Sequence, residues 1–177
     1  MQQSELSEPA LREQISELMH TCRTLSLATL STQADQQEGA DLIGAVPWAC
    51  ELFFVSDDDL VLYFISSPDS RHSQDLLRHP QVAATLSQEA SDWFCVKGLQ
   101  ISGEATKVPE SQRSEILERY LQKSPQLQAL YRQPANAAEE LVRERLINSC
   151  FYAIRPHWIR LIDNNRHFAS KRELRLD

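Results

Sequence analysis

Most of the strand-forming segments in this sequence follow one another without a helix between them, and this order restricts the possible fold strongly. Apolar runs and alternating patterns predict about six strands, at 24–30, 42–55, 60–65, 82–86, 94–108, and 151–154 continued by 157–162. Parallel strands need a crossover, usually helical, between them, so a doubly wound α/β fold is not expected. We expect a small, mostly antiparallel barrel, and the length of 177 residues predicts one domain over 1–177.

Helical patterns occur at three places along the chain. The first helix is expected after Ser7, a plausible N-cap, because apolar residues from Leu11 to Met19 share one helix face. A short helix is predicted at 71–78. Residues 110–148 form a predicted helical insertion before the last strands, while the polar segment 31–41 is predicted to be an exposed loop.

Composition argues against several functional classes. The net charge of −7 disfavours general binding to nucleic acid or to a membrane surface, because both are polyanionic. No apolar run approaches the ~20 residues of a membrane helix, and the N-terminus lacks a signal-peptide pattern. The four cysteines form no CxxC pair and the five histidines no HExxH motif. We therefore expect a cytoplasmic protein with reduced thiols and no metal site.

The segment from Leu60 to Pro80 is the best candidate for a functional site. A strand that is apolar throughout, as expected when both faces are covered, ends in a serine-rich loop, and Ser70-Arg71-His72 then opens a helix. A helix N-terminus attracts anions, and an arginine can pair with a phosphate through two hydrogen bonds. The same residues are also compatible with an ordinary capped surface helix that carries an exposed arginine.

A family resemblance adds to this interpretation. It rests on residues 60–83, whose sequence is LVLYFISSPDSRHSQDLLRHPQVA, on the Leu-Ala-Thr strand at 27–29 and on the later strand at 98–105. In content and order, these segments resemble the core of the pyridoxamine-5′-phosphate-oxidase-like FMN-binding split barrels. Asp163-Asn164, Phe168 and Lys171 further resemble a small branch of that family with no assigned reaction.

The resemblance implies a mainly β fold: a six-stranded antiparallel split β-barrel with flanking helices, in which 110–148 is an insertion. It also implies a homodimer with two FMN sites at the subunit interface. Ser70, Arg71 and His72 would then lie at the FMN phosphate. Other residues implied for cofactor binding are Trp48, Ala49 and Cys50 on one strand, Phe64, Ile65 and Ser66 on the next, Lys97 and Gln100 on a later strand, and Lys171 near the C-terminus.

The implied function is FMN binding, with flavin-dependent oxidation or reduction of an unidentified small substrate. No residue is assigned as a catalytic acid or base. The true oxidase carries an Arg-x-His pair for the substrate phosphate, whereas Arg166 and His167 are adjacent here, so oxidation of pyridoxamine phosphate is not expected. Two alternatives remain open. The barrel could bind haem or a deazaflavin, with His72 or His167 as an axial haem ligand, or it could be a non-catalytic flavin-binding or sensor protein.

Overall fold

The computed structural model describes residues 7–31 and 45–176. The strands are β1 (Thr24–Ser31), β2 (Val46–Ser56), β3 (Leu62–Ser66), β4 (Gln81–Ser87), β5 (Lys97–Lys107), β6 (Cys150–Asp163) and β7 (Lys171–Arg175). The helices are α1 (Glu8–Thr21), α2 (Arg71–Arg78), α3 (Arg113–Lys123), α4 (Pro125–Arg132) and α5 (Ala137–Asn148).

Six of these strands close into an antiparallel barrel. The sheet has the order β3-β2-β1-β4-β5-β6-β7, and an additional pairing of β3 with β6 joins its two sides. The ring is therefore β1-β2-β3-β6-β5-β4, with β7 added on β6 outside it. The predicted mainly β, six-stranded antiparallel barrel with flanking helices is confirmed.

The barrel is split on the side where β2 begins. β3 pairs only with the end of β2, from Phe54 to Ser56, whereas β1 pairs with β2 from Val46 to Phe53. Among the residues that the structure describes, the first half of β2 therefore pairs with a strand on one side only. Pro47 lies in this half, where its missing N–H does not interrupt a second ladder.

The long strands β5 and β6 stay paired through a local irregularity. Their register shifts between Ser102 and Gly103, next to the position where Gly103 faces Pro156. A Cβ atom on Gly103 would lie 2.3 Å from the carbonyl oxygen of Arg155, which is too close for a side chain. The sequence favours a bulge or bend at Gly98 and at Gly103. The register shift lies at Gly103, whereas Gly98 pairs in regular register with Ser87 and Ile162.

Two apolar clusters cover β3 on its two faces, as the continuous apolar run predicted. Leu62 and Phe64 belong to the barrel core, which α1 closes with its own apolar face. Tyr63 and Ile65 pack against a second cluster, here called the outer cluster. Its buried members are Val55, Val108, Ile116, Tyr120, Phe151 and Ala153. Helix α3 of the insertion thus packs on the outside of the barrel.

Several predicted boundaries differ from the structure. The strand expected at 94–108 begins only at Lys97, because Trp93–Cys95 form a 3-10 helix capped by the side chain of Asp92. The basic C-terminal segment 166–175, interpreted from the sequence as a tail, contains β7. The predicted segments 151–154 and 157–162 form one continuous strand. Residues 32–44, which include most of the predicted loop and the start of the 42–55 strand, lie outside the described residues.

Ser7 occupies the N-cap position of α1, as expected, although its side chain makes no capping hydrogen bond. In the sequence, Pro125 and Pro134 favour breaks within the helical insertion. The structure confirms this, since α4 begins at Pro125 and α5 begins shortly after Pro134. Across 7–31 and 45–176, no helix has the length and apolar character needed to span a membrane.

Candidate functional site

The corner between β3 and α2 (residues 66–73) brings together the polar residues that the sequence singled out. Ser70 is the N-cap of α2, and its hydroxyl oxygen accepts the N–H of Ser73 at 3.4 Å. Arg71, the first helical residue, is exposed, and its guanidinium carbon lies 4.2 Å from the ring centroid of Trp48 on β2. This stacking holds the arginine beside the open half of β2 while leaving its N–H groups available.

His72 points into the protein, opposite in direction to Arg71. The side chain is 8% exposed, and both ring nitrogens have partners. Nε2 lies 2.6 Å from Oγ of Ser66 and 3.1 Å from Oγ of Ser70. Nδ1 lies 3.4 Å from Sγ of Cys50. The imidazole therefore links the end of β3, the start of α2 and the middle of β2.

The protonation of this group follows from its burial. Burial lowers the pKa of His72, although the nearby Asp75 carboxyl opposes that shift, so the ring is neutral at pH 7. Burial, together with Glu51 and Asp75, raises the pKa of the Cys50 thiol. The neutral thiol and imidazole share the hydrogen bond at Nδ1, while Nε2 shares hydrogen bonds with the hydroxyl groups of Ser66 and Ser70. The hydroxyl of Ser70 in turn donates to Oγ of Ser73 at 2.8 Å.

A buried carboxyl lies behind this network. Asp75 is 3% exposed, and its Oδ2 accepts the hydroxyl of Thr29 on β1 at 2.7 Å. The contact fixes α2 against the barrel wall, because Thr29 is itself buried. Asp75 was missed in the sequence analysis. The sequence does contain a signal for its burial: Asp75 is next to Leu76, on the face of a short helix that packs against the core.

The remaining residues predicted on β2 and β3 divide between different environments. Trp48 is 38% exposed, Ala49 is exposed and Cys50 is half-buried, so this stretch of β2 borders the corner. Phe64 is fully buried in the barrel core and stacks on Tyr152. Ile65 faces the opposite side and packs against the outer cluster.

The predicted residues Lys97, Gln100 and Lys171 lie apart from this corner within one chain. Oε1 of Gln100 accepts an N–H of Arg160 at 3.3 Å on the outer face of β5 and β6. Lys97 begins β5 and Lys171 begins β7. In the ranges that the structure describes, no hydrogen bond or salt bridge connects any of these three side chains to the corner.

Arg160 organises a second polar group that sequence reasoning did not identify. Its guanidinium donates to Oε1 of Glu173 at 2.7 Å, and the indole N–H of Trp158 donates to Oε2 of the same carboxyl at 3.2 Å. These hydrogen bonds lower the pKa of Glu173. The group joins β6 to β7, which explains why the basic C-terminal segment is ordered as a strand.

The donors at the corner suit an anion better than a metal ion. The first N–H groups of α2 have no acceptor within the helix, and Arg71 adds a permanent positive charge. Arg71 takes part in no salt bridge with another described residue. Within those same residues, no group of three or more His, Cys, Asp or Glu side chains could hold a metal ion.

Comparisons with known proteins agree with this architecture. A UPF0306 protein of Klebsiella pneumoniae is 24% identical over 131 residues, which are 73% of this chain and 78% of that protein. A heme binding protein from Mycobacterium smegmatis superposes with a TM-score of 0.67 at 14% identity, covering 96% of this chain and 60% of that one. A putative pyridoxamine 5′-phosphate oxidase from Listeria innocua superposes with a TM-score of 0.58 at 19% identity, covering 86% and 98%.

The family model described as pyridoxamine 5′-phosphate oxidase matches residues 11–162. This range runs from the first helix almost to the end of β6 and so includes all six strands of the closed barrel. The matched range and the superposed regions both contain the barrel, which the pairing of β3 with β6 closes in this chain. The chain therefore belongs to the pyridoxamine 5′-phosphate oxidase family of split-barrel proteins.

Proposed function

We propose that this protein binds FMN at the corner between β3 and α2, as a homodimer, and uses it as a flavin-dependent oxidoreductase of a small substrate. The observation that carries the proposal is the exposed guanidinium of Arg71, held over Trp48 at the first turn of α2. A phosphate placed there would meet both a permanent cation and the positive end of the helix dipole.

The donor set of this corner fits a phosphate monoester. Ser67 is exposed, and its oxygen accepts the N–H of Asp69 at 3.3 Å, so its own hydroxyl hydrogen is free to donate. Arg71 offers a planar pair of N–H groups that matches two phosphate oxygens. We assign the phosphate contact to Arg71, Ser67 and the first N–H groups of α2. His72, the second basic residue of the motif, supports the corner from inside.

The open half of β2 supports the proposed dimer. Val46 is 51% exposed and Trp48, two positions along on the same face of the strand, is 38% exposed. Among the described strands this half of β2 pairs with β1 alone, and such a strand with apolar side chains is suited to being covered by a second chain. We assign Lys97, Gln100 and Lys171, which lie away from the corner, to the part of the site that the second subunit supplies.

Bound FMN would supply the hydride or electron transfer. The residues of this chain bind and orient it: Arg71 holds the phosphate end, and Trp48, Ala49 and Cys50 border the space beside it. The four cysteines are unpaired thiols, which fits our proposal of a cytoplasmic location, where thiols stay reduced.

The first test is an absorption spectrum of the purified protein after incubation with FMN and removal of free flavin. We expect retained flavin bands at about one equivalent per chain. Reduction by NADH or NADPH would then show as bleaching of those bands. Protein that elutes without flavin would refute the proposal. Flavin that is bound but resists every donor tested would support the non-catalytic, flavin-binding alternative.

A second candidate function is haem binding, and one observation favours it. The Mycobacterium smegmatis protein that superposes on this chain is a heme binding protein. In this chain His167 is exposed, whereas both ring nitrogens of His72 are occupied by Cys50 and Ser66, so His167 is the better candidate ligand. A Soret band after haem addition that is lost in His167→Ala would favour this function. A haem absorption spectrum that stays unchanged when the protein is added would exclude this function.

A further inference from the structure

A cavity of about 640 Å³ lies between the barrel and the helical insertion. Strands β2 and β3 form one wall through residues such as Phe53 and Ile65, and helices α3, α4 and α5 form the other. Leu127, Val142 and Leu146 make the helical wall largely apolar. The volume is within the range of ~300–1,000 Å³ typical of small-molecule sites.

The cavity is distinct from the corner that holds Arg71. Ile65 lines the cavity, whereas the neighbouring Ser66 contacts His72. Successive side chains of a strand point to opposite faces, so β3 itself separates the two places. A ligand in the cavity would therefore not occupy the site proposed for FMN.

Lys123, at the end of α3, places a cation at the wall of this cavity. Its Nζ donates to the carbonyl oxygens of Met19 at 3.0 Å and Phe54 at 3.1 Å, and it lies 4.1 Å from the ring centroid of Phe54. An ammonium group has three donors, so one remains for a ligand. None of the described carboxylates forms a salt bridge with it. Burial lowers its pKa to about 8, so the amine is still mostly protonated at pH 7.

Charge at the cavity is mostly positive, although the whole chain carries −7. Arg23 and Arg145 line the cavity together with Lys123. Among the described lining residues Glu51 is the one carboxylate, and it already accepts the hydroxyl of Ser26 at 2.6 Å, which lowers the pKa of Glu51. Neither arginine forms a salt bridge in the part of the chain that the structure describes.

We propose that this cavity is a second binding site, which takes a small amphipathic carboxylate: the apolar part lies against Leu127, Val142 and Ile65, and the carboxylate pairs with Lys123. Arg145, at the more exposed end, adds attraction for the anion. The half-buried lysine amine gains a counterion that none of the described carboxylates supplies. This site does not depend on flavin, and its occupant would bridge the insertion and the barrel.

The test uses octanoate as the probe, with octan-1-ol as its neutral counterpart, on the full chain. Methyl NMR spectra of the protein should show saturable shifts at Leu127, Val142 and Leu146 on addition of octanoate. Octan-1-ol should bind more weakly, because it cannot form the ion pair. No saturable shift at millimolar octanoate, or shifts confined to residues outside the cavity, would overturn the proposal.

Variants assign the carboxylate contact. Lys123→Met should weaken octanoate binding by about tenfold or more while leaving octan-1-ol binding unweakened, because methionine keeps an apolar side chain at the cavity wall but cannot pair with a carboxylate. Arg145→Gln, at an exposed position that does not threaten folding, should cause a smaller loss. Lys107→Met, an exposed lysine outside this cavity, is the matched control and should bind octanoate as the wild type does. Octanoate binding that both Lys123→Met and Arg145→Gln leave unchanged would refute the proposal.

The Arg71→Ala variant separates this site from the proposed flavin site. It should lose FMN affinity and keep octanoate affinity. Octanoate binding in a protein that never binds FMN would leave this inference standing and remove the proposed function. If the protein binds FMN but never binds octanoate, the proposed function stands and this inference is refuted.

Discussion

The thiol of Cys50 lies 3.4 Å from Nδ1 of His72, and this contact ties β2 to the first turn of α2. Both groups are neutral at pH 7, because burial raises the pKa of the thiol and lowers the pKa of the imidazole. The imidazole is therefore part of the interior network that holds the corner, and Arg71 is the charged group that remains exposed at the start of α2. The role of His72 at a phosphate stays a prediction.

Arg71→Ala should weaken FMN binding by roughly 10- to 100-fold, since a hydrogen bond to a charged group contributes about 1.5–3 kcal/mol. Fluorescence quenching of free FMN measures the affinity. Arg78→Ala is the matched control, because Arg78 is exposed in the last turn of the same helix and should have no effect. Equal losses of FMN affinity in Arg71→Ala and Arg78→Ala would mean that Arg71 contributes only its positive charge and does not contact the phosphate.

Acid should destabilise the native protein partly through His72. An unfolded histidine takes up a proton near pH 6.5, whereas the folded His72 does so only at lower pH, because burial lowers its pKa. Below about pH 6.5 the unfolded state therefore binds more protons, and the free energy of unfolding falls as the pH falls; above that pH the contribution is constant.

Urea unfolding at about pH 7.5 and about pH 5.5 measures this effect. His72→Gln should lose less of its free energy of unfolding between these two pH values than the wild type does. An equal loss of unfolding free energy in the wild type and in His72→Gln would contradict a lowered pKa of His72.

Thr29→Val should lower the free energy of unfolding by about 1–3 kcal/mol, because the buried Asp75 carboxyl would lose its hydroxyl donor. Thr85→Val is the control: Thr85 is an exposed strand residue, so the same chemical change should be nearly neutral. Thermal or urea unfolding of both variants makes the comparison. A neutral Thr29→Val would show that the carboxyl finds another donor.

Gly103→Ala should be destabilising by about 1–3 kcal/mol, since the added methyl would meet the backbone of Arg155 and Pro156. The expected site of damage is the pairing of β5 with β6, which hydrogen exchange of the β5 amides would reveal as faster exchange. Glu104→Ala, at the neighbouring exposed position of β5, adds no atoms and should leave exchange unchanged. Wild-type exchange rates in Gly103→Ala would mean that β5 and β6 accommodate the methyl group without weakening their pairing.

Much of the fold could be predicted because it depends on local patterns. The alternation around Leu25 and Leu27 and the apolar run before Ser66 identify strands with a periodicity visible over a few residues. Ser70 as a helix cap is likewise a property of adjacent residues. The polar corner was therefore identified from the sequence in its main members, Ser66, Ser70, Arg71 and His72.

The direction of a side chain is a different matter, because it depends on what packs beside it. Arg71 and His72 are neighbours with similar chemistry in the sequence, yet one is exposed and the other is 8% exposed. Cys50 meets His72 only because β2 and α2 fold together across 22 positions. The pairing of Thr29 with Asp75 crosses 46 positions, and no local pattern predicts it.

The amino-acid sequence by itself determined the elements, the β class and the polar segment at the start of α2, since these follow from spacing and from the intrinsic preferences of short segments. Only the tertiary structure decided which charges stay exposed and where a cavity forms. Lys123 reaches the carbonyl of Phe54, 69 positions away, and lines an apolar space that neither the insertion nor the barrel contains alone. The physical reason is that burial and electrostatic pairing depend on distances in space, which sequence neighbours do not encode.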